Sequence, residues 1–403
     1  MYKLLLKMAW KNSFLRLSRT LLVITMIAVS MSMMLGLQGL YDGMANNMID
    51  KNKRSDSGDI SIFEKDYRIK KDIKNRITNA SSIREEIESI EGVQAVVLRV
   101  HSDGLLSTAR KSSFASLIGI DLAKENSFGE FSEFLKSGEM NLEKRGAVIG
   151  LELAKTLKVH VGSKVVFSAQ DVSGDINSIS LKIKGILQTT NISLDSGAIF
   201  VDIKKMHKFL GTTSDEATQI AIKVGDDKLL DMLKTKYADY DVKSFLELQP
   251  MMKMMQDMMV IFNSVTFFIV MSVVFVGIFG VMYVSILDRI REFGILLGIG
   301  MYYKYIRIQI FLEALFVGLL GYLGGAILGA VLLFYLRDYG LDFSSFSDAL
   351  EMWGYEAVIT GTIKFSYFST TFGAIITASL LSVIIPLRKI KKLNPIEVIK
   401  AEK

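Results

Sequence analysis

The sequence predicts an α-helical membrane protein with four transmembrane helices and a large α+β domain between the first and the second. Half of the 403 residues are apolar and only 22% are charged, which is a low share for a soluble chain of this length. Four stretches are almost free of charge, at residues 20–41, 258–287, 308–336 and 365–387. Because about 20 apolar residues in a helix cross the hydrocarbon core of a bilayer, each stretch is long enough to span it.

The remaining segments follow from these four spans. Residues 42–257 are polar enough for a folded domain, and short strand and helix patterns alternate along them. The first span is too long for a signal-peptide core and lacks a good cleavage site, so we expect a retained anchor. The predicted segments are a cytoplasmic amphipathic helix at 1–19, the first span at 20–41, a periplasmic α+β domain with stalk flanks at 42–257, the second span at 258–287, a cytoplasmic coupling segment at 288–307, the third span at 308–336, a periplasmic loop at 337–364, the fourth span at 365–387 and a cytoplasmic tail at 388–403.

The distribution of Lys and Arg predicts the orientation. Residues 1–19 hold five basic side chains and no acidic one, and the tail 388–403 holds six basic and two acidic. The loop 337–364 holds two basic and five acidic side chains. Since basic residues accumulate in cytoplasmic segments, we expect both termini in the cytoplasm.

The composition argues against several classes of site. The chain has no cysteine, which excludes disulfides, thiolate metal sites and a cysteine nucleophile, and its three histidines stand far apart in sequence. We therefore expect no catalytic residue, no metal and no cofactor bound by this chain. The net charge of +6 is a signal of topology, so we expect contact with membrane lipids and none with nucleic acid.

A methionine-rich flank precedes the second span. Four of its methionines follow helical spacing, and thioether side chains adapt to irregular apolar shapes. One interpretation is a binding surface for a lipid or another apolar ligand, and the alternative is simple packing of the helix. The candidate lipid- or cargo-binding residues on the two flanks are Leu37, Leu40, Met44, Met251, Met254, Met255 and Met258.

Two features of the third span indicate close packing and a possible functional charge. Gly321, Gly325 and Gly329 recur every four residues, a spacing that lets helix backbones approach closely. They either pack the helices of one chain or form an interface with a second copy, and the two interpretations are compatible. Glu313 is the one charge inside a predicted span. A proton relay and a contact near the cytoplasmic interface both stay open for it.

The loop after the second span places charged residues first and then apolar residues with glycines. A short helix here would lie along the membrane and offer side chains to a cytoplasmic partner. The residues expected to contact that partner are Arg289, Arg291, Glu292, Gly294, Leu297 and Gly298.

Four separated motifs resemble the FtsX-like, or macrolide-exporter-type, permeases of ABC transporters. They are residues 8–12 (MAWKN), 288–296 (DRIREFGIL), 311–314 (FLEA) and 393–399 (LNPIEVI). The resemblance implies a multi-pass protein of the bacterial inner membrane that transmits motion to a periplasmic domain. It also implies a separate ABC ATPase dimer that binds ATP and Mg²⁺ and pushes the coupling segments. A second permease copy or a paralogue would complete the assembly.

Residues 36–44 and 57–62 resemble the lipoprotein-releasing branch of that family. Permeases of this branch extract lipoproteins from the outer leaflet of the inner membrane and pass them to a periplasmic carrier. One paralogue docks the carrier through a long proline-containing hook. Here the predicted hairpin around residues 170–177 is short and has no proline, so docking of a carrier stays open.

Other functions are compatible with the same resemblance. One alternative is an exporter or antimicrobial-peptide-resistance permease that works with an adaptor protein. Another is a signalling permease that activates a cell-wall hydrolase. A membrane-anchored enzyme is disfavoured, because no catalytic constellation occurs in the sequence. The identity of the cargo and the choice between homodimer and heterodimer do not follow from the sequence.

Overall fold

The computed structural model describes residues 2–14, 17–189, 191–225, 229–346 and 358–391. The predicted motif at 393–399 and most of the predicted tail lie outside these residues. Within the described residues, four helices are long and apolar enough to cross a membrane. A mixed α+β domain lies in the sequence between the first and the second of them. The predicted fold class is therefore confirmed.

The helices and strands are numbered in chain order. The helices are α1 (Tyr2–Ser13), α2 (Leu17–Asn52), α3 (Tyr67–Lys70), α4 (Ala80–Glu88), α5 (Leu122–Gly129), α6 (Leu151–Leu157), α7 (Ile192–Gly197), α8 (Ile203–Leu210), α9 (Leu229–Lys236), α10 (Phe245–Leu248), α11 (Pro250–Asp288), α12 (Ile290–Gly298), α13 (Tyr303–Asp338), α14 (Phe365–Ser382) and α15 (Ile384–Lys391). The strands are β1 (Ile60–Phe63), β2 (Val93–Ser107), β3 (Ser112–Ile120), β4 (Leu135–Gly138), β5 (Gly146–Gly150), β6 (Lys164–Gln170), β7 (Ile176–Leu187), β8 (Ala198–Asp202), β9 (Gln219–Val224), β10 (Asp241–Ser244), β11 (Leu341–Asp342) and β12 (Val358–Ile359).

The chain divides into two compact units. Of the described residues, the first unit takes those within 2–45, 256–344 and 358–391, and the second takes those within 46–255 together with residues 345 and 346. The first unit is a helix bundle built on α2, α11, α13 and α14. The second unit is the α+β domain.

Three of the four long helices extend beyond the uncharged stretches that predict them. α2 has 36 residues and α11 has 39, which at about 1.5 Å per residue exceeds the roughly 30 Å of a hydrocarbon core. Hydropathy marks only the part of a helix that is uncharged, whereas the helical hydrogen bonds continue into the polar flanks.

The fourth predicted span, at 365–387, corresponds to the candidate span Phe365–Arg388, within which the helix is interrupted at Val383. α14 ends at Ser382 and α15 begins at Ile384. Pro386 lies in the first turn of α15, where its missing N–H removes no helical hydrogen bond, whereas in the middle of a single helix it would. The proline therefore explains why the helix breaks at this point.

The α+β domain is organised around the long strand β2. The sheet has the strand order β10-β1-β9-β2-β3-β8-β5-β7-β4, and β6 pairs with both β2 and β7. The first half of β2 pairs antiparallel with β9, and its second half pairs antiparallel with β3. Separate apolar cores lie along the two halves, one including Ile62 and Ile220 and the other Leu106 and Phe167. β2 thus belongs to both cores.

The predicted hairpin is present and its turn is short. β6 and β7 pair antiparallel from Lys164↔Lys182 to Gln170↔Ile176. The Oδ1 atom of Asp171 accepts hydrogen bonds from the backbone N–H groups of Ser173, Gly174 and Asp175 at 2.8–3.1 Å. These bonds close the turn over five residues and leave no long extension.

Candidate functional site

The predicted coupling segment at 288–307 contains α12, which packs one face on the helix bundle and leaves the other exposed. Phe293 and Gly294 are buried, and Leu297 is half-buried against the apolar core of the bundle. The exposed face carries Arg291, Glu292, Gly298 and two apolar residues that the sequence analysis did not select. These are Ile295, 47% exposed, and Ile299 just after the helix, 76% exposed.

The six predicted coupling residues therefore divide between the two faces of α12. Arg291, Glu292 and Gly298 lie on the exposed face, whereas Arg289, Gly294 and Leu297 face the bundle. Binding of a partner by this segment stays a prediction, and for Arg289, whose side chain turns inward to Glu313, it is a positioning role and not a direct contact. Helical spacing would have selected Ile295 and Ile299 if the exposed face of the helix had been known, since they follow Arg291 and Glu292 at helical intervals.

Arg289 and Glu313 form a nearly buried ion pair between the start of α12 and α13. The side chain of Arg289 is 13% exposed and that of Glu313 is 5% exposed. The guanidinium Nη1 of Arg289 lies 3.0 Å from each carboxylate oxygen of Glu313. Two amide side chains also donate to the carboxylate, Asn12 at 3.0 Å and Gln309 at 3.1 Å. Glu313 is thus a fully satisfied buried carboxylate, as burial of a charge requires.

Other contacts hold Arg289 in place from its own side. Its Nε lies 3.2 Å from the carboxylate of Glu292, and its guanidinium lies 5.0 Å from the ring centre of Phe293. A neighbouring ion pair joins Arg19 of α2 to Asp288 at the end of α11, at 2.8 Å. A cavity of about 140 Å³ adjoins both pairs. The term basic end denotes this end of the bundle, formed by α1, the start of α2 and α12.

The glycines of the third span pack within the chain. Gly321, Gly325 and Gly329 of α13 are buried and lie against α2. A methyl group added at Gly321 would lie 2.7 Å from Ile27, and one added at Gly329 would lie 2.4 Å from Leu35. The missing side chains therefore allow α13 and α2 to approach closely.

The opposite end of the bundle is held by a second polar cluster. The carboxylate of Asp42 accepts a hydrogen bond from Tyr367 at 2.6 Å and forms an ion pair with Lys364 at 2.6 Å. The backbone N–H of Thr362 donates to the carbonyl of Gly39 at 2.9 Å. A Cβ at Gly39 would lie 2.8 Å from the carbonyl oxygen of Thr362, so only glycine admits this backbone contact. These contacts join α2 to the segment before α14.

α11 buries side chains in one half only. In this fully described helix the buried residues are Val274, Ile278, Met282 and Ile286. The preceding half carries exposed apolar side chains, which include Met251 at 68%, Met254 at 60% and Met258 at 52%. Met255 is half-buried, as are the other candidate cargo residues Leu37, Leu40 and Met44 of α2.

The α+β domain joins its two connections to the helices through strands and side chains. β1 follows the first connection and β10 precedes the second, and the two strands pair antiparallel. Asp56 accepts hydrogen bonds from Gln249 at 3.2 Å and from Asn191 at 3.4 Å. The first and last segments of the domain are thus tied to each other within the domain.

Several titratable groups of the domain are buried and hydrogen-bonded. Arg99 and Glu125 form two parallel hydrogen bonds of 2.6 and 2.7 Å and are both buried. Burial, followed by the charge of Arg99, lowers the pKa of His101 to about 4. Burial raises the pKa of the Asp195 carboxyl to about 6, against the hydrogen bonds that Thr189 donates to it. Among the described residues no cluster of His, Asp and Glu has the arrangement of a metal site.

Two family models match the chain. The model of the FtsX-like permease C-terminal region matches residues 264–395. The model of the MacB-like periplasmic core domain matches residues 20–239, which is more than half of the chain.

Individual relatives are similar at low sequence identity. The lipoprotein-releasing system transmembrane protein LolC of Buchnera aphidicola is 25% identical over 171 residues, which cover 40% of this chain and 42% of LolC. The macrolide export ATP-binding/permease protein MacB of Pasteurella multocida is 24% identical over 257 residues, which cover 59% of this chain and 36% of MacB. The chain thus spans less than half the length of these two relatives.

A solved structure of the periplasmic region of MacB from Actinobacillus actinomycetemcomitans is also similar. It is 17% identical, with a TM-score of 0.34, and the match covers 50% of this chain and 96% of that structure.

Proposed function

Because the chain belongs to the FtsX-like permeases with a MacB-like periplasmic core domain, we propose that it is the membrane subunit of an ABC transporter that releases lipoproteins from the bacterial inner membrane. Both termini lie in the cytoplasm and the α+β domain lies in the periplasm. The chain itself is not catalytic. A separate dimeric ABC ATPase binds ATP and Mg²⁺, and a second copy of the chain or a paralogue completes the membrane part.

The main support for this proposal is the first half of α11, which exposes apolar side chains. The row that begins at Met251, Met254 and Met258 continues through Ile261, Val265 and Phe268, all of which are more than half exposed. In the proposed orientation, this half of the helix lies toward the outer leaflet, where the lipid of a lipoprotein resides. Unbranched thioether side chains fit acyl chains of varying shape, which is what release of many different lipoproteins requires.

Extraction of a lipid anchor needs both an apolar receiver and a source of energy. Each buried CH₂ group of an acyl chain contributes about 0.8 kcal/mol to membrane binding. A receiver on α11 offsets part of this cost by covering the chain as it leaves the bilayer. ATP hydrolysis by the partner supplies the remainder.

The exposed face of α12 supports the proposed ATPase contact. Arg291 and Glu292 offer charges of both signs, and Ile295 and Ile299 offer apolar surface beside them. Interfaces between proteins combine apolar anchors with a polar rim in this way. We therefore place the ATPase on this face and assign Leu297, which packs on the bundle, to holding α12 in position.

The test of cargo is photocrosslinking in cells. A photoreactive amino acid replaces Met254 or Met258, and the control variant carries it at Met282, a buried residue of the same helix. We expect positions 254 and 258 to capture a lipidated reporter lipoprotein and position 282 to capture none. A reporter whose lipidated cysteine is replaced, and which therefore carries no acyl chains, should give no adduct at either exposed position.

Two outcomes would contradict lipoprotein release. Equal capture of the lipidated and unlipidated reporters would show that the acyl chains are not recognised. Absence of capture at both positions, in cells where the transporter is assembled, would assign the methionine row to packing between copies.

An exporter that works with an adaptor protein is the second candidate. The short turn between β6 and β7 favours it, because the turn offers no hook for a lipoprotein carrier. The MacB relatives are about as similar in sequence as LolC is. Capture of a macrolide or a peptide substrate at positions 254 and 258, in place of the lipidated reporter, would support this candidate.

A further inference from the structure

We propose that Arg289 and Glu313 form the joint through which a displacement of α12 is passed to α13. The proposal rests on the proposed ATP-driven function. It assigns positioning roles to two residues that lie away from the exposed face of α12. Arg289 is the residue between α11 and α12, and Glu313 lies ten residues into α13.

The geometry makes this ion pair a firm mechanical connection. Arg289 contacts Glu313 through Nη1 and Glu292 through Nε, and its guanidinium lies 5.0 Å from the ring centre of Phe293. Charge-assisted hydrogen bonds are stronger than neutral ones, and exposure of only 13% and 5% shields this pair from water. When α12 shifts, Glu313 must follow or the buried carboxylate loses its cation.

Glu313 extends the connection to two further parts of the bundle. Asn12 joins the carboxylate to α1, and Gln309 braces it one turn earlier on α13. α1 also packs on α13 beyond the carboxylate, where the rings of Trp10 and Phe316 meet edge to face at 5.4 Å. α1 and α13 are thus expected to move together.

The glycine contacts then carry the motion to α2. Gly321, Gly325 and Gly329 lie against Ile27, Met31 and Leu35 without intervening side chains. Close-packed surfaces transmit displacement because they have little free volume to absorb it. The cavity of about 140 Å³ beside Arg289 is lined by residues of α1, α2, α11 and α13, Glu313 among them, and leaves room for the pair to shift. The path therefore runs from α12 through Glu313 to α13 and α2.

The experiment measures nucleotide-driven motion at the far end of α13. Tyr339 is 73% exposed and follows the last residue of that helix, so Tyr339→Cys supplies a reporter in a chain without other cysteines. The assembled transporter is labelled with a maleimide in the presence and absence of ATP. The variants Arg289→Gln, Glu313→Gln and the double variant are compared with Arg337→Gln, which removes an exposed charge from the same helix.

We expect each single variant to keep the ATPase bound and hydrolysing ATP, and to lose the ATP-dependent change in labelling by on the order of tenfold. The double variant should lose no more than either single variant, because the two residues act as one joint. Arg337→Gln should respond to ATP like the parent. A purely structural role would lower assembly and hydrolysis together with the labelling change.

The variant Glu313→Asp tests whether the glutamine variants lose the response only because the chain does not fold. It keeps the charge, yet its shorter side chain cannot hold Arg289 and Asn12 at the present distances together. We expect an assembled transporter with a reduced labelling response. A parental response in Glu313→Asp or in either glutamine variant would overturn the proposal, as would additive losses in the double variant. Failure of Glu313→Asp to assemble would reassign the pair to folding and overturn it as well.

The readout separates this proposal from the proposed function. If the parent shows no change in labelling with ATP, then ATP-driven transmission itself is wrong. If the parent responds while lipidated cargo is not captured at positions 254 and 258, the joint stands and only the cargo is wrong.

Discussion

Gly325 of α13 packs directly on Met31 of α2: a methyl group at position 325 would lie 2.8 Å from the Cβ of Met31 and 3.0 Å from the carbonyl oxygen of Ala28. Real Cβ atoms essentially never come within 3.0 Å of another atom, and a contact of 3.0 Å to a carbonyl oxygen is rare. The pair of helices therefore depends on glycine at this position.

Substitution of Gly325 by leucine should separate the two helices. Overpacking of a close contact costs about 1–3 kcal/mol, and we expect at least this loss because the neighbouring backbone cannot move aside. The measurement is the thermal unfolding of the detergent-solubilised chain. Gly280→Leu is the matched control, since a Cβ at Gly280 of α11 meets nothing within 4 Å. Equal destabilisation by both variants would mean that the contact is not specific.

The exposed face of α12 should bind the ATPase. Arg291→Glu combined with Ile299→Asp reverses a charge and removes the most exposed apolar side chain of that face. We expect co-purification of the ATPase to fall by at least tenfold, or about 1.4 kcal/mol of binding free energy. Lys7→Glu, an exposed charge reversal on α1 at the same end, should leave co-purification unchanged. Undiminished binding by the double variant would remove this face from the interface.

Orientation can be read with single cysteines. Ser173→Cys in the β6–β7 turn should react with an impermeant maleimide in intact spheroplasts, and Lys7→Cys should react only after permeabilisation. Both positions are exposed in the structure. Gly150 is unsuitable for cysteine labelling, because a Cβ there would lie 2.5 Å from the carbonyl oxygen of Asp195. The reverse labelling pattern would invert the proposed topology.

The contribution of His101 to the stability of the α+β domain should fall as the pH drops from about 6.5 toward 4. Burial lowers the pKa of His101 to about 4 in the folded state, below its ordinary value of 6.5. Between these values the unfolded chain binds a proton that the folded chain excludes, so acid favours unfolding. Pulse proteolysis of the full chain at pH 7 and pH 5 measures the effect.

The control for this dependence is His101→Gln, which does not titrate. In the native domain Nε2 of His101 lies 2.8 Å from the Oε1 atom of Gln219, a contact that the amide of glutamine can also make. We expect a smaller loss of stability between pH 7 and pH 5 in the variant. The raised pKa of Asp195 acts in the opposite direction, since its ionisation disfavours the folded state as the pH rises toward 6. An unchanged pH dependence in His101→Gln would assign the effect to other groups.

The sequence was sufficient for the membrane helices and insufficient for their contacts. Segments that lie in lipid must form helices and carry few charges, so the uncharged stretches of the sequence located four long helices. The spacing of Gly321, Gly325 and Gly329 predicted a close helix contact, but only the structure identifies Ile27, Met31 and Leu35 as its other side. Pairing of two helices depends on their rotation, which a single helix does not encode.

The contacts at the basic end could not be predicted from the sequence either. Charge and spacing selected Arg289 together with Arg291 and Glu292, whereas in the structure Arg289 turns inward to Glu313. The two residues are 24 positions apart and belong to different helices, so no periodicity connects them. Ile295 and Ile299 were overlooked because isolated apolar residues in an apolar segment carry no signal until one face is known to be exposed.

The pairing of β1 with β10 also has a consequence for how such chains diversify. Ile60 lies opposite Ser244, and the N–H of Phe245 donates to the carbonyl of Asp59 at 2.9 Å. The first and last strands of the domain are therefore neighbours, and the domain is inserted in the sequence between two helices at these two points. Recombination at these two points would exchange the whole domain and leave every pair of strands complete. A crossover inside β2 would instead divide both apolar cores.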